Sequence, residues 1–314
     1  MYINTTGFYV PAGRVHNDYF LEINGLTSEW IQQRTGIVTR SRAGEDENLN
    51  TMAIAAVQNA IPSLPYDISE VDLIITASYS PYDTVATVSH VVQREFNITE
   101  AKAFYLSSAC SSFVNALEVV EGYFAMGKAT KALVIAADQN SAYCNESDPK
   151  AGHLWGDAAA AFFISKAPCA EGEGQITDIL TQGLGHISKG PGGVQLRPGH
   201  DGIVMPDGKD VFIQACTYMP KNAQFLLEKN GYTLDNLSYL IGHQANLRIM
   251  SNIAKQLNLP EEKILQNITE LGNTGSVSSA LVYAQNKELY KKDDLICITV
   301  FGGGYSAGAC LIKF

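Results

Sequence analysis

Positive charge is scarce in this chain: 22 Lys and Arg stand against 32 Asp and Glu, for a formal net charge of −10, and neither sign gathers into a run. Phosphate backbones are gripped by basic surfaces, so nucleic acid is excluded as a general partner. Cysteine is sparse too. The six present form no CxxC pair and no regular spacing, which argues against both a metal site and a disulfide framework. No apolar run approaches the roughly 18 residues that a membrane span needs. Residues 1–10 lack a basic stretch followed by a long apolar one, so no signal peptide is expected. The expectation is a protein of the reducing cytoplasm, with no membrane partner and no metal.

What is present is apolar. Hydrophobic residues fill 46% of the 314 positions, enough for one large or two fused medium domains with ample core. Strand-type runs cover residues 1–10, 71–78, 104–106, 132–137, 237–241 and 295–301. Helical spacing covers 17–24, a segment opening at Thr27 and Ser28, 52–61 up to Pro62, then 85–96, 211–229 and 247–257. Strands alternating with helices predict an α/β architecture on a parallel sheet. The polar stretch 39–50 reads as an exposed loop. Residues 183–210, rich in Pro and Gly, read as the longest unstructured segment, and loops of that length are usually functional or disordered.

Candidate chemistry sits where a strand passes into a helix. The run ending in Phe104-Tyr105-Leu106 reads as a buried strand, it leads into Leu106-Ser-Ser-Ala-Cys-Ser-Ser-Phe113, and Phe113, Leu117, Val120, Tyr123 and Phe124 recur at helical steps beyond it. Cys110 therefore stands at a helix N-terminus between residues too small to cover it. The partial positive charge and free N–H groups there favour a thiolate, the form that attacks. Two later stretches supply possible partners: Gly242-His243-Gln244-Ala245-Asn246-Leu247-Arg248 after a strand, and Leu271-Gly272-Asn273-Thr274-Gly275-Ser276-Val277-Ser278 before an apolar segment. Phe301-Gly302-Gly303-Gly304 ends a strand, where no side chain obstructs the backbone N–H groups. Trp30 and Arg34 stand four apart on one helix face, fit to stack on a planar base.

Taken together, these stretches resemble the β-ketoacyl-ACP synthase III family of thiolase-like condensing enzymes over nearly the whole chain. Ser28-Glu29-Trp30-Ile31, Arg34-Thr35-Gly36-Ile37 and Gly156-Asp157-Ala158-Ala159 add to the resemblance, in the family's order. It implies a duplicated thiolase-like α/β fold, five-layered α-β-α-β-α, whose two similar halves are residues 1–168 and 169–314, assembled as a homodimer. It also implies a reaction. Cys110 would be acylated by an acyl-CoA primer and then condense decarboxylatively with malonylated acyl carrier protein. His243 and Asn273 would donate to the enolate oxygen, and the N–H groups of Cys110 and Gly303 would form an oxyanion hole. Trp30, Arg34 and Asn246 would contact coenzyme A, a substrate rather than a bound cofactor. Arg248 and Lys255 would dock the carrier. A neutral His243 donor needs its tautomer fixed, which suggests a backbone acceptor behind the ring.

Around the entrance and the pocket the sequence departs from the family's common pattern. Ser147-Asp148-Pro149-Lys150 stands where an Arg usually sandwiches adenine, Ala158 replaces a usual glycine, and Ile213 and Gln256 replace docking lysines. Val85 and Ser306-Ala307 stand where bulkier residues are common, which predicts room for primers longer than acetyl. These changes raise an alternative within the family's chemistry: a secondary-metabolism paralogue, of polyketide or alkylresorcinol type, with an unusual primer. An acyltransferase without malonyl decarboxylation would need an acidic base near Cys110, and no Glu is placed for it. A non-catalytic partner subunit would lack the cysteine.

Overall fold

The computed structural model describes residues 1–314. Ten strands form one continuous sheet: β1 (Tyr2–Tyr9), β2 (Leu73–Ala77), β3 (Lys102–Leu106), β4 (Lys131–Gln139), β5 (Asp157–Ser165), β6 (Gly174–Gly183), β7 (Tyr239–Gly242), β8 (Ile264–Leu265), β9 (Leu295–Gly302) and β10 (Ser306–Lys313). Their order is β8-β7-β9-β10-β6-β1-β5-β4-β2-β3. The centre is thin: β1 and β6 meet only where Tyr2 faces Gln175 and Ile3 faces Gly174. On either side of that seam the order is the same, each strand of the first half matched by the one five later. The directions match as well. β2 runs parallel to β3 and β4 as β7 does to β8 and β9, while β5 and β10 are each antiparallel to both neighbours. The sheet is therefore mixed rather than wholly parallel, and the duplication lies in its topology.

Helices complete five layers. Leu49–Ala60 and Val88–Glu95 cover the outer face of the first half, and Gly208–Lys229 and Leu247–Gln256 cover that of the second. Ser112–Ala125 and Ser278–Gln285 lie between the halves. Three of the four apolar cores lie between these layers, and the fourth gathers Phe20, Ile31, Ile37 and Trp155. The central one joins Phe113, Leu117 and Val120 to Ala280 and Leu281. Met52, Val57 and Val92 anchor one outer core, and Met219, Leu226 and Ile253 the other. β5 is buried on both faces: Ala158, Ala160, Phe162 and Ile164 enter the central core, and Ala159, Ala161 and Phe163 the outer one. That double burial erases the polar/apolar alternation, so the sequence reading passes over this strand.

Three expectations need correction. Thr39–Arg42, inside the expected loop, is a strand paired with Gly13–His16. Its Arg40 is buried, and its guanidinium donates to Asn17 Oδ1 and the His153 carbonyl at 2.8 Å each and to the Val15 carbonyl at 3.1 Å. The expected loop 183–210 contains a short hairpin, Gln195–Leu196 with Ile203–Val204, and the following helix already starts at Gly208. β3 is half-buried rather than buried, because it is the sheet's open edge. No helix is long and apolar enough to cross a membrane.

Candidate active site

Between β3 and the Ser112–Ala125 helix the backbone turns sharply through residues 107–111. Ser108 N–H donates to Ser112 Oγ at 2.8 Å, and Ser112 N–H to the Ala109 carbonyl at 3.1 Å. Ala109 sits at φ +50°, a left-handed conformation that costs a non-glycine residue about 1–2 kcal/mol. The end of β9 backs directly onto this turn. A Cβ on Gly302 would lie 2.7 Å from the Cys110 nitrogen, so only glycine fits there. Cys110, Gly303, Tyr79, Trp155, Leu196 and Tyr305 share one cavity of about 450 Å³. Val194, Leu196 and Ile203 bring the 183–210 segment into its wall. Val85 is 85% exposed and Ala307 is packed into an outer core, and neither lines this cavity. Ser306, the other member of the Ser306-Ala307 pair, does line it.

The electrostatics overturn the expectation of a resting thiolate. Burial, and then the Asp138 charge, push the Cys110 thiol up to about 12, against the pull of the Cys110 and Gly303 backbone N–H groups. Desolvation outweighs the helix terminus here. Two N–H groups that favour a charged sulfur are also placed to hold an oxyanion on an acyl carbon attached to it.

His243 follows β7 directly, and its backbone N–H donates to the Thr299 carbonyl at 3.0 Å. Its Nδ1 lies 2.7 Å from Ser278 Oγ, which also accepts from Gln244 N–H at 3.2 Å. The Ser278 hydrogen has no other acceptor, so it goes to Nδ1 and leaves the proton of the neutral ring on Nε2. A side-chain hydroxyl therefore fixes the tautomer, not the backbone acceptor expected. Burial holds the ring at about 4, so it is neutral at pH 7. Asn273 is oriented in a similar way. Its Oδ1 accepts from Gly275 N–H at 2.9 Å, which leaves the Nδ2 hydrogens free. Its backbone bonds to Leu154 and Gly156 on either side of Trp155. Thus Asn273 adjoins the cavity wall through Trp155, while neither it nor His243 lines the 450 Å³ space itself.

Trp30 is 39% exposed, with the Arg34 guanidinium 5.5 Å from its ring and the His153 ring at 5.6 Å. Thr27 caps their helix as expected, its hydroxyl accepting from Trp30 N–H at 3.2 Å. Asn246 caps the next one: its Oδ1 accepts from Arg248 N–H at 2.8 Å, and its Nδ2 donates to the Arg34 carbonyl at 3.0 Å. One Nδ2 hydrogen is left for a ligand. Arg248 lies over the Phe212 ring at 5.9 Å, and Lys255 stands in the last turn of the same helix. Tyr79, Asp138 and Ser278 escaped the sequence reading. Ser278 lies in the same short stretch as Asn273, but nothing local marks a hydroxyl that bonds a histidine 35 residues away.

Comparison with known proteins adds the family. The model of 3-oxoacyl-[acyl-carrier-protein (ACP)] synthase III matches residues 104–183, and that of the C-terminal part of the same enzyme matches residues 227–314. The β-ketoacyl-[acyl-carrier-protein] synthase III of Aquifex aeolicus is 32% identical over 311 residues, 98% of each chain. The crystal structure of the 3-oxoacyl-[acyl-carrier-protein] synthase III from that organism aligns with a TM-score of 0.92 at 31% identity, covering 100% of this chain and 99% of that one. A priming β-ketosynthase from a polyketide biosynthetic pathway aligns with a TM-score of 0.90 at 27% identity, covering 99% and 95%.

Proposed function

The chain belongs to the β-ketoacyl-[acyl-carrier-protein] synthase III family of condensing acyltransferases, and on that premise we propose that Cys110, His243 and Asn273 carry its reaction, with an acyl-CoA as primer and malonylated acyl carrier protein as extender. Cys110 Sγ attacks the primer's thioester carbonyl, giving up its proton as it does so. The N–H groups of Cys110 and Gly303 take the oxyanion, and coenzyme A leaves as the thiol. The malonyl thioester then places its carbonyl oxygen against His243 Nε2–H and Asn273 Nδ2–H. As CO2 departs, that oxygen becomes an enolate held by two neutral donors, and the carbanion attacks the acyl carbon on Cys110. Cys110 leaves as the thiolate and takes a proton from solvent. The observation that carries this reading is the pair of donors fixed from behind, by the Ser278 hydroxyl and the Gly275 N–H.

Trp30 and Arg34 stack on the adenine end of coenzyme A, and the remaining Asn246 N–H meets its pantetheine arm. Coenzyme A is substrate, and no resident cofactor takes part. The halves divide at 168/169, in the connection between β5 and β6. Assembly is a homodimer in the cytoplasm. The open edge at β3 and the exposure of Tyr82 and Val85, 61% and 85%, support that assembly. A second reading, a paralogue priming secondary metabolism, draws support from the cavity. At about 450 Å³ it holds more than an acetyl group, and each further buried CH2 gains up to about 0.8 kcal/mol.

Turnover tests the proposal. Acyl-CoA and malonylated carrier should give one CO2 per β-ketoacyl product, and no CO2 from any malonyl thioester would overturn it. The carrier contact is tested by Arg248→Glu. The net charge of −10 repels an acidic carrier, so docking rests on close contacts, charges beyond about 8 Å being largely screened at physiological salt. With Ile213 46% exposed and the Gln256 Nε2 bonded to the Cys216 carbonyl, the basic patch is thin. The variant should raise KM for the malonylated carrier several-fold and leave acyl-CoA loading nearly unchanged. Equal loss of both steps would move Arg248 to the coenzyme A site, and no change would move the carrier elsewhere.

A further inference from the structure

Asp138, in β4 next to its C-terminal end, is fully buried and forms no ion pair. Its Oδ1 accepts from Ser78 Oγ at 2.8 Å, Tyr79 N–H at 3.1 Å, Ser80 N–H at 3.2 Å and Ser80 Oγ at 2.7 Å. Its Oδ2 accepts from Ser276 N–H at 2.6 Å and Ser276 Oγ at 2.7 Å, the same hydroxyl standing 3.1 Å from the Ala77 carbonyl. Burial pushes the carboxyl up while the Ser276 and Ser80 hydroxyls pull it down, and partners that all donate are what an ionised carboxylate requires. The Oδ1 partners form the turn after β2, in the first half of the chain. The Oδ2 partner belongs to the loop that carries Asn273 and leads into Ser278, in the second. That contact is tight: Gly275 is at φ +71°, and a Cβ there would lie 2.4 Å from Asp138 Oδ2 and 2.5 Å from the Tyr79 hydroxyl. Tyr79 in turn donates to Asn140 Oδ1 at 2.7 Å, and Asn140 Nδ2 reaches the carbonyls of Gly156 at 2.7 Å and Asn273 at 3.4 Å.

We propose that Asp138 is the positioning residue that keeps the two halves of the site in register: its carboxylate holds the loop of Asn273 and Ser278, and through Ser278 the His243 ring, against the turn whose Tyr79 shares the cavity with Cys110. The proposal rests on the reading of His243 and Asn273 as enolate donors. The same charge acts oppositely on the nucleophile. It faces Cys110, Tyr79 and Tyr105, and it disfavours the Cys110 thiolate. Both phenols are pushed up, so they stay neutral beside it. Removing the charge therefore loosens the enolate donors and makes the cysteine more acidic, while Ser276→Ala, which keeps the charge, loosens the donors alone.

Asp138→Asn should lower malonyl-thioester decarboxylation by about tenfold to a hundredfold, the usual cost of donors displaced by a fraction of an ångström to about 1 Å. Alkylation of Cys110 by iodoacetamide should become several-fold faster at a given pH. Ser276→Ala keeps the charge and the backbone contact, so it should lower decarboxylation a few-fold and leave the alkylation profile where it is. Asn273→Ala is the control. If Asn273→Ala loses decarboxylation and Asp138→Asn does not, the proposal is overturned and the donor reading stands. If Asn273→Ala itself keeps decarboxylation, the donor reading falls, and the proposal with it. Should Asp138→Asn fail to fold, Ser276→Ala decides, and unchanged decarboxylation in that variant overturns the proposal.

Discussion

His243→Ala and Asn273→Ala each lower decarboxylation and condensation by roughly 10²–10³ while Cys110 still takes up an acyl group at close to the normal rate. The asymmetry follows from geometry. Each side chain has one end spent on the protein, His243 Nδ1 on Ser278 and Asn273 Oδ1 on Gly275 N–H, and offers only a donor at the other. A donor of that kind stabilises charge on a substrate oxygen and does nothing to deprotonate a thiol. Burial keeps His243 neutral down to about pH 4, so decarboxylation should show no step near the ordinary histidine value. The half-reactions are read separately, by covalent loading from acyl-CoA and by CO2 released from a malonyl thioester. Loading lost as completely as decarboxylation in folded His243→Ala would make His243 the base for Cys110, and the two roles would be redrawn.

Alkylation of Cys110 in the free enzyme rises about tenfold for each pH unit between pH 6 and 9, with no plateau. A thiol pushed up to about 12 is protonated throughout that range, and the reactive fraction grows in proportion to hydroxide. The direction is set by burial first and the Asp138 charge second, both of which favour the neutral form. A plateau below about pH 8 would mean that the helix terminus and the two N–H groups prevail over desolvation. The measurement uses iodoacetamide with the modified peptide identified, because the exposed Cys169 and the half-buried Cys144 are also free thiols.

The residues read from the sequence are those whose chemistry is local. Cys110 is marked by small neighbours and a change of period, whereas the roles of His243, Asn273 and Gly303 come from the resemblance that their short runs carry together. What the sequence hides is relational. Asp138 bonds Ser276 across 138 positions, and no window of residues contains both. The acidity of Cys110 follows from the desolvation and the Asp138 charge that the fold brings to it, and a motif at a helix start carries no information about either. β5 escaped because both its faces are buried, and Thr39–Arg42 because charge suggests solvent unless the acceptors for a buried guanidinium are known. The duplicated halves share strand order and direction, properties of the backbone that divergent side chains no longer report.

The central claim is that this chain carries its acyl group on Cys110, and peptide mapping by mass spectrometry after mixing with an acyl-CoA tests it most directly. The turn through residues 107–111, the left-handed Ala109 and the cavity of about 450 Å³ serve that one sulfur. The expected result is a single acyl adduct on the peptide containing Cys110, absent from Cys110→Ala. An adduct on Cys144 or Cys216, or one that persists in Cys110→Ala, would contradict it.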